Sequence, residues 1–150
     1  MRLPGRPGDG DRGSITLMLL ALFVALIALA GIVIDGGAKL DQAENANAIA
    51  QEAARAGAGM VNQANAYANG TFTVDPAQAT AAAQDYLASN GYDAANGYVT
   101  TVATVGTESI RVTVTVTSRT HVLSIIGINS MTSEGAATAS LVTGVIGPGQ

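Results

Sequence analysis

The chain has 150 residues and carries 7 Lys and Arg against 11 Asp and Glu, a net charge of −4, which is room for one modest domain with appendages. Charged residues make up only 12% of it, and a balance this mildly acidic excludes the clustered basic footprint that a nucleic-acid partner requires. The cysteine count is zero, so disulfides, thiolate metal sites and a cysteine nucleophile are excluded as well.

Residues 1–13 hold two Pro and four Gly and read as a short leader. From Ser14 to Ile34 there follow 21 residues without a charge, thirteen of them Leu, Ile, Val or Phe. As a helix this run would be about 31 Å long, against a hydrocarbon core of roughly 30 Å. Its thirteen large residues favour insertion by on the order of 6 kcal/mol, which a few Gly, Ser and Thr do not cancel. Arg2, Arg6 and Arg12 precede the run, whereas only Lys39 and Arg55 follow it closely. That bias places the N-terminus in the cytoplasm and exports the C-terminal portion. Residues 14–34 are therefore expected to span the cytoplasmic membrane once, with Asp35 at the outer boundary.

Another fate is written into the same stretch. Leu17–Ile27 has the length of a signal-peptide core, and Ala28-Leu29-Ala30 is a signal-peptidase motif, so cleavage after Ala30 would release a soluble module. The apolar run, however, continues through Gly31-Ile32-Val33-Ile34 with no helix breaker before the motif. Within the run, Ala21, Ala25 and Ala28 lie on one side of a helix and would let a second helix approach closely.

Beyond Gly36-Gly37, where the helix could weaken, the chain turns polar but stays helix-forming. Leu40, Ala43, Asn47, Ala50, Ala54, Gly57 and Val61 keep the spacing of one helical face, so residues 35–61 are predicted to extend the membrane helix with a stripe of small residues turned inward. Residues 62–73, rich in Asn, Gly and Ala, read as a loop. A further helix is bounded by Asp75 as N-cap, Pro76 at the first helical position and Ser89-Asn90-Gly91 as its stop. The period then changes to two. Tyr98–Val105 and the alternating "IRVTVTVT" around a Gly106-Thr107-Glu108 turn predict an antiparallel hairpin. After the apolar bend "HVLSIIGI", residues 136–145 alternate again as a third strand. The sum is an α+β fold, a long helix covering a small antiparallel sheet, with residues 62–150 as the exported domain.

No catalytic apparatus assembles from these residues. His121 is the only histidine and has Val122 and Leu123 beside it, a setting for a structural or solvent-facing side chain. The acids of Asp41–Glu52 fail as a calcium loop, with Ala46 where a Gly is needed and Ala43 where a ligand is needed. No metal or other cofactor is expected. A membrane-tethered enzyme ranks last because no convergent acid and base can be named. For Asp35 the roles open are a stop to the membrane segment and a contact with a neighbouring subunit.

Three features in order carry a family resemblance: Asp11-Arg12-Gly13 before the apolar run, the exit "GIVIDGG", and the Gln, Asn and Ala-rich helix "LDQAENANAIAQEAARAGA". Together with the tail "IRVTVTVTSRTHVLSIIGINSMTSEGAATASLV", the chain resembles the TadE/TadG-like minor pilins of tight-adherence (Flp) pilus systems over residues 11 to about 145. The resemblance implies a non-enzymatic, pseudopilin-like membrane protein whose partners are the bilayer, other pilins and the pilus assembly machinery in a hetero-oligomer. Many members are cut after a Gly, and the equivalent cut here falls between Gly13 and Ser14. Such prepilins usually carry Glu as the fifth mature residue, which is thought to neutralise a neighbour's amino terminus. Here that place is Met18, which cannot do so, and members that stay unprocessed and anchored fit the sequence equally well.

Overall fold

The computed structural model describes residues 10–141, with side chains from Ser14 onward. Residues 1–9 of the expected leader, and residues 142–145 of the expected last strand, lie outside the described residues.

The apolar run and the polar, Ala-rich segment after it form one helix, α1, Gly10–Ala58, of 49 residues, about 74 Å of helix. It runs without interruption through Gly36 and Gly37, where an added Cβ would meet nothing within 4 Å. Two glycines lose helix propensity, but neither removes a backbone hydrogen bond. A short α2, Gln63–Asn69, and then α3, Pro76–Ser89, follow. The last part of the described chain is a meander of β1, Tyr98–Val105, β2, Ser109–Arg119, and β3, Ser130–Ser140, in the order β1-β2-β3 with antiparallel pairing throughout. Strands and helices are thus segregated along the chain, and the fold is α+β as expected.

The alternation in β2 decides which face of the sheet is buried. Ile110, Val112 and Val114 are wholly buried, and opposite them β3 offers Ala139, Ala137 and Gly135. Large residues in the central strand and small ones in β3 leave room for a helix to lie close over β3. The C-terminal half of α1 fills that space with Ala46, Ile49, Ala50, Ala53, Ala54 and Ala58. Beside it, α3 adds Ala79, Ala83 and Leu87, spaced one helical turn apart. The approach is so close that a Cβ on Gly135 would stand 2.2 Å from the Asn47 nitrogen. One on Gly57 would meet Ile110 Cδ1 at 2.7 Å and the Ala79 carbonyl at 2.8 Å.

Several expectations need correction. The inner face of α1 is rotated from the one the spacing suggested. Ala50, Ala54 and Gly57 are buried as expected, but Leu40 is 68% exposed and Ala46, Ile49 and Ala53 take the central places. In a helix so rich in Ala, one Leu dominates the apparent phase although the sheet decides the real one. Residues 62–73 are not all loop, because α2 forms between an Asn62 cap, whose side chain accepts from Asn65 N–H, and Gly70 in the left-handed conformation. The third strand begins at Ser130 rather than residue 136. The apolar bend is a turn of 3-10 helix, Leu123–Ile126, closed by Gly127 at φ 92°.

Candidate functional site

The structure draws attention to the place where the apolar half of α1 meets the domain. From Ser14 to Ala30 almost every α1 side chain is exposed, with Leu17, Phe23 and Leu29 at 69%, 61% and 59%. Contact with the domain begins around Ile27 and Ala28, which are half-buried, and is complete at Gly31 and Asp35, which are buried. These residues lie on one side of the helix at intervals of three and four.

What covers them is the β2–β3 connection. Its neck is closed by Thr120, whose N–H donates to the Asn129 carbonyl at 3.1 Å and whose hydroxyl donates to the Ile128 carbonyl. Its start is held by Asp35. The carboxylate accepts His121 N–H at Oδ1 (2.9 Å), and Val122 N–H (3.0 Å) and Leu123 N–H (2.7 Å) at Oδ2. Three successive N–H groups at the start of a helical turn have no partner within that turn and form a concave donor site for an anion. Asp35 supplies that anion from 86 to 88 residues away. The Leu123 N–H bond, with those from His121 and Val122, holds the Asp35 carboxyl below the ordinary aspartate range, outweighing the opposite effect of burial. Directly beneath, Leu123 packs on Gly31, where an added Cβ would stand 3.0 Å from Leu123 Cδ2 and 3.1 Å from Val122 Cγ1.

Two more contacts continue along α1. Ser133, itself buried, donates its hydroxyl to the Lys39 carbonyl at 3.0 Å. Ala136 N–H, on the outer edge of β3, donates to Asn47 Oδ1 at 3.0 Å. The helix thereby covers an edge that would otherwise present open donors. From Asp35 to Asn47 the hairpin is fastened along α1 by backbone groups as much as by apolar burial, which suits a core built from Ala.

The residues singled out from the sequence fall as follows. Asp35 sits at the centre of this junction, and the partners found for it belong to its own chain. Ala21 and Ala25 are exposed on the bare part of α1, and Ala28 is half-buried. Gly13 and Ser14 lie in its first turns, well away from the domain. His121 has an exposed side chain and contributes its backbone N–H. Sequence reasoning missed Gly31, Asn47 as an acceptor, Leu123 and Ser133. The shallow groove between α3 and β1, lined by Gln84, Leu87, Tyr92, Asp93 and Tyr98, has little to offer chemically. Its carboxylate, Asp93, is spent on capping Asn96.

A small α+β domain is thus fastened to the end of the apolar half of a helix that is long and apolar enough to cross a membrane. Residues 13–64 match the Flp pilus-assembly TadE/G-like family model, so the family resembled in sequence is the family found over that stretch. The match extends from Gly13 to Ala64, taking in the apolar run, Asp35 and the rest of α1, and the three strands lie beyond it. No curated protein matches the chain, and no solved structure matches it.

Proposed function

We propose that this protein is a single-pass, pseudopilin-like membrane protein that takes part in assembling a tight-adherence (Flp-type) pilus or a related surface apparatus, without catalysis of its own. The observation that carries the reading is the match to a pilus-assembly family over residues 13–64, across both halves of α1, joined to a helix whose apolar half is bare. A surface of thirteen exposed large apolar residues between Ile15 and Ile34 needs lipid or other apolar helices around it. In this reading residues 1–13 are a cytoplasmic leader, residues 14–34 span the membrane, residues 35–61 extend the helix, and residues 62–150 form the extracytoplasmic domain. Asp35 then marks the outer boundary. A carboxylate there would be costly unpaired, and its three N–H donors supply what water would otherwise provide. Ala21, Ala25 and Ala28 are the place for another pilin or an assembly-platform helix to pack, in a hetero-oligomer.

The soluble alternative, cleavage after Ala30, would discard residues 13–30 of the stretch 13–64 that the family model matches. The experiment is deletion of the gene in its bacterial host, with surface pili counted by electron microscopy and the full-length protein recovered after crosslinking in intact cells. Loss of pili, and recovery of other pilins or assembly proteins with the bait, is the expected result. Normal piliation with no pilus component crosslinked would overturn the proposal.

A further inference from the structure

The β2–β3 connection exposes what a soluble loop would hide. Among the described residues outside α1 the large apolar ones left open are Tyr67, Phe72, Val99, Val105, Ile125, Ile126 and Ile128, and three of these seven fall within four consecutive residues of one tip. They are 73%, 48% and 46% exposed. Single exposed apolar residues need no explanation, but a cluster does. The tip is also held rigidly, by Asp35 at its start, Thr120 and Asn129 at its neck, and Leu123 N–H and carbonyl groups within it.

Its position says what covers it. Leu123 rests on Gly31, one helical turn, about 6 Å, on the apolar side of Asp35. The half-burial of Ile27 and Ala28 extends the contact a further turn in the same direction. The base of the tip is therefore level with the last turns of the apolar run, and the open isoleucines follow Leu123 within two to five residues. From Arg119 to Ser133 the sequence contains no Asp or Glu, while Arg119 and His121 stand exposed at the tip's entrance and Lys39 on the adjacent face of α1. Apolar side chains near the end of the apolar run, with the cations Arg119 and Lys39 beside them and the adjacent Asp35 carboxylate buried against three N–H groups, suit the interfacial layer of a bilayer with anionic headgroups.

We propose that Leu123–Ile128 is a second membrane-contact element, seated in the interfacial lipid of the same bilayer that α1 crosses. The inference rests on the reading of residues 14–34 as membrane-spanning. Two points of contact, one through the core and one at its edge, would fix the tilt and rotation of the sheet relative to the membrane, as a single helix cannot.

The absence of native cysteine allows a clean test in the full chain. Single substitutions Ile125→Cys, Phe23→Cys and Tyr67→Cys, each labelled with an environment-sensitive nitrobenzoxadiazole probe, are reconstituted into vesicles of phosphatidylethanolamine and phosphatidylglycerol. Quenching is then read with lipids carrying nitroxide near the headgroup or deep in the chain. Position 125 should be blue-shifted relative to position 67 and quenched more by the headgroup-proximal nitroxide. Position 23 should be quenched more by the deep one. Water-like emission at 125 with lipid-quenched emission at 23 overturns the tip contact and leaves the anchor standing. Water-like emission at 23 overturns the anchor itself and the tip contact with it. Blue-shifted emission at 125 that neither nitroxide quenches means that protein covers the tip, a second copy being the first candidate, and also overturns the proposal.

Discussion

Asp35 Oδ2 accepts the Leu123 N–H at 2.7 Å, tying the exit of a 21-residue apolar run to the tip of a hairpin 88 residues later. The bond is one of three on the same carboxylate, and its donors belong to backbone that has no other use for them in the turn. Asp35→Asn keeps the shape but leaves one of the two acceptor positions occupied by an amide NH2. That group faces an N–H and repels it. Asp35→Ala removes all three bonds. Amide hydrogen exchange at residues 121–123, measured on the micelle-bound full-length protein, should accelerate strongly for Ala and less for Asn. Exchange in the β1–β2 ladder should change little. Unchanged protection at 121–123 in the Ala variant would show that the tip is held by Leu123 and Gly31 alone.

The same carboxylate carries a pH dependence. Its pKa is lowered in the folded state by the Leu123, His121 and Val122 N–H groups. Its stabilisation is therefore complete above the unfolded-state value, about 3.9, and is lost as the pH falls through the lower folded-state value. Between about pH 6 and about pH 2.5 the melting temperature should fall further for the native chain than for Asp35→Asn. Other carboxylates titrate in both proteins, so the difference between the two curves is the quantity to read. Parallel curves would mean that Asp35 contributes nothing through its charge.

Much of the fold was legible because its signals are local. Asp75 was readable as a cap, and its Oδ1 indeed accepts Ala77 and Gln78 N–H at 3.0 Å each. Tyr98–Val105 and the alternating β2 segment were readable from β-branched residues and period. What resisted was everything decided across the chain. β3, "SMTSEGAATAS", has too little contrast between large and small residues for its limits to show. Its place is set by Gly135 passing over the Ala46–Asn47 backbone. The phase of α1 is likewise imposed by the sheet. Asp35 read as a stop at a membrane edge or a contact with a neighbouring subunit, since nothing near it announces three donors at positions 121–123. α2 is a different kind of miss, because its boundaries, Asn62 and Gly70, are local, but a stretch rich in Asn, Gly and Ala read as a loop.

The Gly135 crossing gives a sharp stability test. A Cβ there would stand 2.2 Å from Asn47 N and 2.3 Å from Ala46 C, both backbone atoms of a helix that cannot yield locally. Gly135→Ala should destabilise the domain by about 3 kcal/mol, the upper part of the usual overpacking range. Urea unfolding followed by circular dichroism in detergent reads it. A loss below about 1 kcal/mol would mean that β3 and α1 are less tightly apposed.

Gly57 offers the complementary experiment, since one of its neighbours is a side chain. Gly57→Ala meets Ile110 Cδ1 at 2.7 Å and the Ala79 carbonyl at 2.8 Å. Ile110→Val deletes the first obstacle at a cost of about 0.5–1.5 kcal/mol by itself. The double variant should therefore lose less than the sum of the singles, with a coupling of about 0.5 kcal/mol or more. The Ala79 carbonyl keeps the rescue incomplete. Strict additivity would contradict the contact.

The anchor can be weighed directly at its middle. Ala25 is exposed on α1 with no neighbour from the domain beside it, so its replacement tests lipid rather than packing. Ala25→Asp should cost about 2.5–3.5 kcal/mol of membrane insertion, read as a shift from the carbonate-resistant to the soluble or aggregated fraction. Full retention with membranes would place the anchor elsewhere in the chain.

The central claim is that the apolar half of α1 stays with the domain and holds it at the membrane. The most direct measurement is the intact mass of the protein recovered from membranes of its own host. An N-terminus at Met1, or at Ser14 after removal of the leader, is the expected result, and Ser14 would also establish cutting after Gly13 despite Met18. An N-terminus at Gly31 would contradict the claim, because the helix would then have been a signal and the domain a released one.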